Sequence, residues 1–238
     1  MNREQLQKDI FPAELILKLF GNETKLPDKI TLINDYIEGV KGSYDAEVLK
    51  IIQNNQIAHI YWEAGNYEHA IAHFEIVVEN MEPEDKPSLY FLALNLLIRS
   101  NRMLSKIEKA LTWSIQALNN SHIATENYRL INLKEYAELL TDTEENFDDK
   151  YLPVIKSIID FYGIPIEVND PIDTVKLIHQ MHSYWAKKLT VLEAKIRKSD
   201  PDMMIREYEE YASSCEIEWY RNYAENSLER LKNKKSQD

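Results

Sequence analysis

Apolar residues recur at three- and four-residue steps through almost every long window of this chain, the spacing that lines one face of a helix. The period-two alternation of a half-buried strand is missing, and so are Asn-Gly and Asp-Gly hairpin turns. The pattern predicts an all-α protein. Breaks at Pro, Gly and polar clusters divide it into about ten helices, near 3–20, 28–40, 45–64, 67–81, 87–102, 105–119, 124–141, 147–162, 171–198 and 202–234. Asp170 before Pro171 and Asp200 before Pro201 each place an N-cap ahead of a first-turn proline, whose missing N–H costs nothing there. The linker-like stretch Gly163-Ile-Pro-Ile-Glu-Val-Asn-Asp-Pro171 divides the expected organisation into shorter helices over 1–163 and a long-helix pair over 164–238.

Glycine content narrows the possible functions. The chain has 5 glycines, where average usage near 7% would supply roughly 17. Loops that cradle phosphates need closely spaced glycines for the backbone N–H groups to approach the anion, and neither a dinucleotide-binding fingerprint nor a P-loop can be assembled. Forty acidic against 28 basic residues give a formal net charge of -12, which repels a phosphate backbone and favours a basic partner, so no nucleic acid is expected. The longest apolar run, Leu89 to Ile98, is half of the roughly 20 residues that cross a bilayer, so no membrane is expected either. A single cysteine, Cys215, forms no internal disulfide. With no basic and apolar leader at the start, the expectation is a reducing, cytoplasmic setting.

Candidate chemistry is thin. His69 and His73 share a helical face and could both reach a metal, but a zincin places Glu directly after its first His and Ala70 stands there. A di-iron site needs Glu three residues before His, and none of the six His has one. His179 and His182 form a second pair with no neighbouring carboxylate. The expectation is no metal, no cofactor and no catalytic residue, hence no enzyme. Tyr208, Tyr211, Cys215, Trp219 and Tyr223 step along the last predicted helix as a core-facing stripe would. The acidic run over 138–149, with Glu138, Asp142, Glu144 and Glu145, reads as a solvated loop between helices.

One stretch is more specific. In Ala58-His-Ile-Tyr-Trp-Glu-Ala-Gly-Asn-Tyr-Glu-His-Ala-Ile-Ala-His-Phe-Glu-Ile-Val-Val78, Ile57, Ala58 and Tyr61 fall in one helix, Gly65-Asn66-Tyr67 at a turn, and Ala70, Phe74 and Val77 in the next. This resembles a tetratricopeptide repeat, a 34-residue helix-turn-helix unit that stacks into a solenoid. Ala58 and Ala70 are small where helix axes approach closely, and Gly65 suits the left-handed residue that ends a helix. A shift of forty residues superposes Ala70-Ile71 on Ala110-Leu111 and Val77-Val78 on Ala117-Leu118, a second copy over about 88–120 in which Ser114 replaces Phe74 and no Gly marks the turn. Beyond Ala124 helix pairs continue without the motif. The resemblance, covering about 54–120, implies a right-handed TPR-like solenoid with atypical flanking helices.

What the resemblance implies for function is a binding groove lined by the first helix of each pair, holding a peptide or partner protein. The groove positions are Asn55, His59, Trp62 and Glu63, then Asn95, Arg99, Arg102 and Met103. His59, Arg99 and Arg102 would receive a carboxylate, with Asn55 and Asn95 pairing peptide backbone. The alternative is an immunity-type protein that neutralises a basic toxin or enzyme by covering it with acidic surface.

Overall fold

The computed structural model describes residues 1–21, 24–196 and 200–235, and among these it forms twelve α-helices, one 3-10 turn and no strand. None of the described helices is long and apolar enough to cross a membrane. The all-α expectation holds, and the helix number exceeds ten because two predicted helices are each broken. The segment expected as one helix over 3–20 is α1 (Arg3–Leu6) and α2 (Ala13–Phe20). Pro12 is the cause, since it lacks an N–H and its ring clashes with the carbonyl four residues back. The segment expected as one helix over 202–234 breaks at Cys215, whose backbone is extended at φ -74° and ψ 120°. The Ser213 and Ser214 hydroxyls bond back to the Glu210 carbonyl at 3.0 and 2.8 Å, and the chain restarts where the Glu218 N–H meets the Gly163 carbonyl at 3.2 Å.

The chain forms two compact units, Met1–Asp142 and Thr143–Asp238. The first holds α1, α2, α3 (Leu26–Val40), α4 (Ala46–Glu63), α5 (Tyr67–Glu79), α6 (Pro87–Met103), α7 (Ile107–Asn119) and α8, which runs Glu126–Thr143. Its N-terminal segment is tied down. The Tyr36 hydroxyl donates to the Ile10 carbonyl at 2.6 Å, Lys86 Nζ to the Leu6 carbonyl at 2.9 Å, and the Asp45 N–H to Gln5 Oε1 at 2.7 Å. Asp45 in turn caps α4 through the N–H groups of Glu47 and Val48.

Helices α4 and α5 form one hairpin and α6 and α7 the next, with α5 packed on α6, the stacked helix-pair arrangement that the TPR resemblance implies. Both hairpins turn in the same way. The Gly65 and Asn66 N–H groups reach the Trp62 and Tyr61 carbonyls at 3.0 and 2.9 Å, and Ser105 and Lys106 reach Arg102 and Asn101 at 2.9 and 2.9 Å. These are paired 5→2 and 6→1 bonds that close a helix end around a left-handed residue. Ala58, Ala70 and Ala110 are fully buried where the helices meet, as their small size requires, and Phe74 fills the space beside them.

The second unit follows a 3-10 turn at Asp149–Tyr151 and contains α9 (Leu152–Tyr162), α10 (Pro171–Ile196), α11 (Pro201–Ser214) and α12 (Glu218–Lys235). The unit boundary at 142/143 lies earlier than the 163/164 division expected, because α9 packs against α10 and α12. The expected helix starts are present: Asp170 Oδ1 accepts from the Asp173 N–H at 2.8 Å and Asp200 Oδ1 from that of Asp202 at 3.4 Å. The aromatic stripe holds only as far as the break. Tyr208, Tyr211 and Cys215 are buried, but Trp219 and Tyr223 are partly exposed, and the buried positions are instead Ile217, just ahead of α12, and Tyr220 and Ala224 within it. The extended residue at Cys215 resets the helical phase, so spacing counted across it fails.

Candidate functional site

The first helices of successive pairs, α4, α6 and α8, carry residues of one repeat register. Trp62, Arg102 and Asp142 are equivalent at forty-residue intervals, as are Asn55, Asn95 and Glu135. Between them lies a cavity of about 810 Å3 lined by Trp62, Arg99, Arg102, Met103, Lys134 and Glu135, among others. Four of the eight residues expected along a groove therefore border one concavity. Lys134 and Glu135 escaped notice because no repeat motif marks α8. The signal that could have found them is the forty-residue register, which continues one helix beyond the motif.

The structure separates the expected residues by what they can do. Arg99 is exposed, its guanidinium carbon lies 5.4 Å from the centre of the Trp62 ring, and its Nε stands 3.8 Å from the Glu135 carboxylate. A cation over an indole face is held and partly desolvated while its donors stay available. Arg102 is already occupied. Its Nε donates to Asp142 Oδ2 at 2.8 Å and its Nη1 to Glu138 Oε2, while Lys134 Nζ meets the other Glu138 oxygen at 2.8 Å. Burial works against the Arg102 charge, yet its bonds to Asp142 and Glu138 hold the guanidinium above its ordinary value. Burial works against the Glu138 charge too, and Lys134 and Arg102 outweigh it, so its carboxyl lies below the usual range.

Four expectations change as a result. Arg102 does not stand ready for a partner's carboxylate, because Glu138 and Asp142 satisfy it. The acidic run over 138–149 is not one solvated loop, because α8 continues to Thr143 and puts Glu138 and Asp142 on the helix face that meets Arg102. His59 does not supply a charge. It is half-buried, edge-on to Phe74 at 5.4 Å between ring centres, and burial pushes its pKa below the ordinary value. Asn95 is only 5% exposed, so it cannot run along a peptide backbone at the surface as expected. Helix α6 is packed by neighbours on both sides, and nearly every residue from Tyr90 to Asn101 is buried. Asn55 is half-buried and Glu63 is exposed.

Three buried polar atoms at the expected groove positions on α4 and α6 are left without partners, and of their residues only Trp62 lines the cavity. Trp62 Nε1, Asn95 Nδ2 and Asn55 Oδ1 are buried and have no hydrogen-bond partner among the described residues. Such groups cost about 1–3 kcal/mol each when left unsatisfied.

The histidine pairs have other employment. His69 Nδ1 pairs with Asn66 Oδ1 at 2.8 Å and His73 Nδ1 with Asn54 Oδ1 at 2.7 Å, and both rings lie near that of Tyr61, at 4.9 and 5.7 Å. His182 Nε2 meets the Tyr220 hydroxyl at 3.0 Å. Among the described residues, no three His, Cys, Asp or Glu side chains come together in a metal-binding group. Cys215 is buried, and burial pushes its thiol pKa up, the opposite of what a nucleophile needs.

No family model matches the chain, and no curated protein matches it. Among solved structures, it is similar to a protein of Podosopora anserina described as a kinesin light chain with nearly identical TPR-like repeats. The identity is 11% and the TM-score 0.46, over 90% of this chain and 89% of the other. A second crystal structure of the same repeats gives a TM-score of 0.45.

Proposed function

We propose that the chain is a non-catalytic interaction protein whose first unit holds a segment of a partner protein in the groove lined by α4, α6 and α8. The observation that carries this reading is the Trp62–Arg99 pair in the lining of a cavity where the buried Trp62 Nε1 has no hydrogen-bond partner among the described residues. An aromatic face, a held but accessible guanidinium and an unpartnered indole N–H are the features by which interfaces anchor a partner's carboxylate or carbonyl beside an apolar side chain. The alternative, capture of a basic toxin or enzyme by the acidic exterior, now draws on less charge in the 138–149 run, since Glu138 and Asp142 are tied to Arg102.

The test is affinity capture from the native cell with wild type and with the Trp62→Ala and Arg99→Ala variants, each first shown to melt like the wild type. Proteins recovered by wild type and lost from both variants are the groove's partners, and their purified complexes should dissociate at least about tenfold faster with either variant. An identical recovered set for all three proteins overturns the reading.

A further inference from the structure

The second unit carries a basic patch in an acidic chain. Between Asp173 and Asp200 there are six basic residues and one acid, Glu193, whereas the whole chain has a formal net charge of -12. Most of this segment is α10, and one of its faces is apolar as well as basic. Leu177, Tyr184 and Val191 recur at seven-residue steps and are 45%, 53% and 50% exposed. Seven residues are two turns, about 10.5 Å, so the three form a stripe roughly 21 Å long on one side of the helix. Single exposed apolar residues are ordinary on a protein surface, but a ruled line of three is not.

The stripe borders a concavity. A cavity of about 530 Å3 opens between α10 and α11, with buried Leu192 and Tyr211 in its lining and Tyr184 and Val191 among its exposed walls. Lys187, Lys188 and Lys195 also line it, with Glu207 and Glu210 from α11. Lys195 is spent on Glu207 at 3.1 Å. Lys188 is placed by aromatic faces, its Nζ lying 4.6 Å from the Tyr184 ring centre and 4.8 Å from that of Trp185. Lys187 is exposed and makes no ion pair among the described residues. Among the described residues, neither the Lys187 nor the Lys188 ammonium forms an ion pair beside this apolar groove.

We propose that this α10–α11 face docks an acidic segment of a partner protein, one that lays bulky apolar side chains along the Leu177–Tyr184–Val191 stripe and sets carboxylates against Lys187 and Lys188. Charge complementarity selects the occupant. Carboxylates answer the two free lysines, and the seven-residue spacing answers a helix whose apolar residues recur every second turn. A phosphate backbone would use the lysines but not the stripe, and would meet Glu207 and Glu210 across the groove. The proposal stands on residues separate from those of the α4–α6–α8 groove and does not depend on that reading.

The experiment uses the full chain and a fluorescein-labelled synthetic peptide of three heptads, with Leu at every seventh and intervening fourth residue and Glu flanking them. A control peptide of the same composition has its Leu residues scattered around the helix. Fluorescence anisotropy at physiological salt should show saturable binding of the first peptide and at least about tenfold weaker binding of the control. Lys187→Glu with Lys188→Glu should weaken binding at least about tenfold, as should Val191→Asp, while Trp62→Ala leaves it unchanged. No saturable binding up to about 1 mM, or equal binding by wild type and the charge-reversed variant, overturns the proposal. So does an unlabelled thymidine oligonucleotide that displaces the peptide, which would assign the patch to phosphates. A wild-type dimer in sedimentation velocity that Val191→Asp dissolves would overturn it in favour of a second copy of this chain.

Discussion

Ser105 ends α6 in the place where Gly65 ends α4, forty residues earlier, and both hold left-handed backbone, at φ +56° and +71°. The second repeat therefore keeps the turn of the first without the residue that makes it easy. A side chain in this region costs about 1–2 kcal/mol, against about 0.4–1 kcal/mol for the wider freedom of Gly in the unfolded chain. Ser105→Gly should therefore raise stability by about 0.5 kcal/mol in urea unfolding. Gly65→Ala, whose added Cβ meets nothing within 4 Å, should lower it by about 0.5 kcal/mol by the same balance. A stabilising Gly65→Ala would mean that the turn is not held as described.

The left-handed Gly163 at the end of α9 is a harder case. A Cβ there would lie 2.5 Å from the Cβ of Glu218, at φ +59°. Strain and overlap add, so Gly163→Ala should cost about 2–4 kcal/mol in the unfolding of the second unit. A melting temperature unchanged from wild type would contradict the close approach of α12 to this turn.

Ala70 is fully buried where α5 meets its neighbours. Ala70→Leu should overpack that contact and cost about 1–3 kcal/mol, whereas Ala72→Leu on the exposed face of the same helix should cost little. Equal stabilities for the two variants would count against the helix-pair packing.

Arg102 is the counter-ion of a carboxylate cluster, so removing it should hurt more than its half-exposed surface suggests. Arg102→Met leaves Glu138 and Asp142 facing each other without their shared cation and should cost about 1–3 kcal/mol at neutral pH. The loss should shrink as pH falls below about 4.3, the ordinary glutamate value, because the Glu138 carboxyl that Arg102 and Lys134 hold lower then protonates. A pH-independent loss would assign the effect to packing of the arginine stem instead.

Burial lowers the pKa of His59 and His73 in the first unit and of His182 in the second. Each is held neutral in the fold, while the unfolded chain takes up a proton near pH 6.5, so the unfolded state binds more protons as pH falls. Stability contributed by these groups is present above about pH 6.5 and is lost below it, before the carboxylates titrate. Urea midpoints should drop between about pH 6.5 and 5, and His59→Gln should flatten that slope for the first unit. An unchanged slope would show that His59 is no more desolvated folded than unfolded.

What the sequence disclosed depended on whether a residue's role is local. Helix periodicity, the proline starts at Pro171 and Pro201, the Gly65 turn and the small Ala70 can all be recognised from neighbours within a few positions. Pro12 is equally local, since a proline lacking its N–H stops the helix that the surrounding periodicity would carry through it. The break at Cys215 has no Pro or Gly to announce it and depends on Glu218 meeting the Gly163 carbonyl across the fold. Groove residues fall between these cases. Trp62, Arg99, Arg102 and Met103 do line one cavity, since the repeat register alone sets which helix faces they share. That Arg102 is neutralised by Glu138 and Asp142 depends on α8, where the motif is absent. Asn95 has the same register as Asn55 but is more deeply buried, a difference that arises from the neighbours packed around α6.

Cys215 is the chain's single thiol, it is 3% exposed, and it sits at the joint between α11 and α12. A thiol reagent added to the native protein therefore reads a clock inside the second unit, since it can react only when that joint opens. At low reagent concentration the labelling rate reports how often the joint stands open at equilibrium, and at high concentration it levels off at the opening rate itself. Because the first unit contains no cysteine, its own fluctuations leave no trace in this signal.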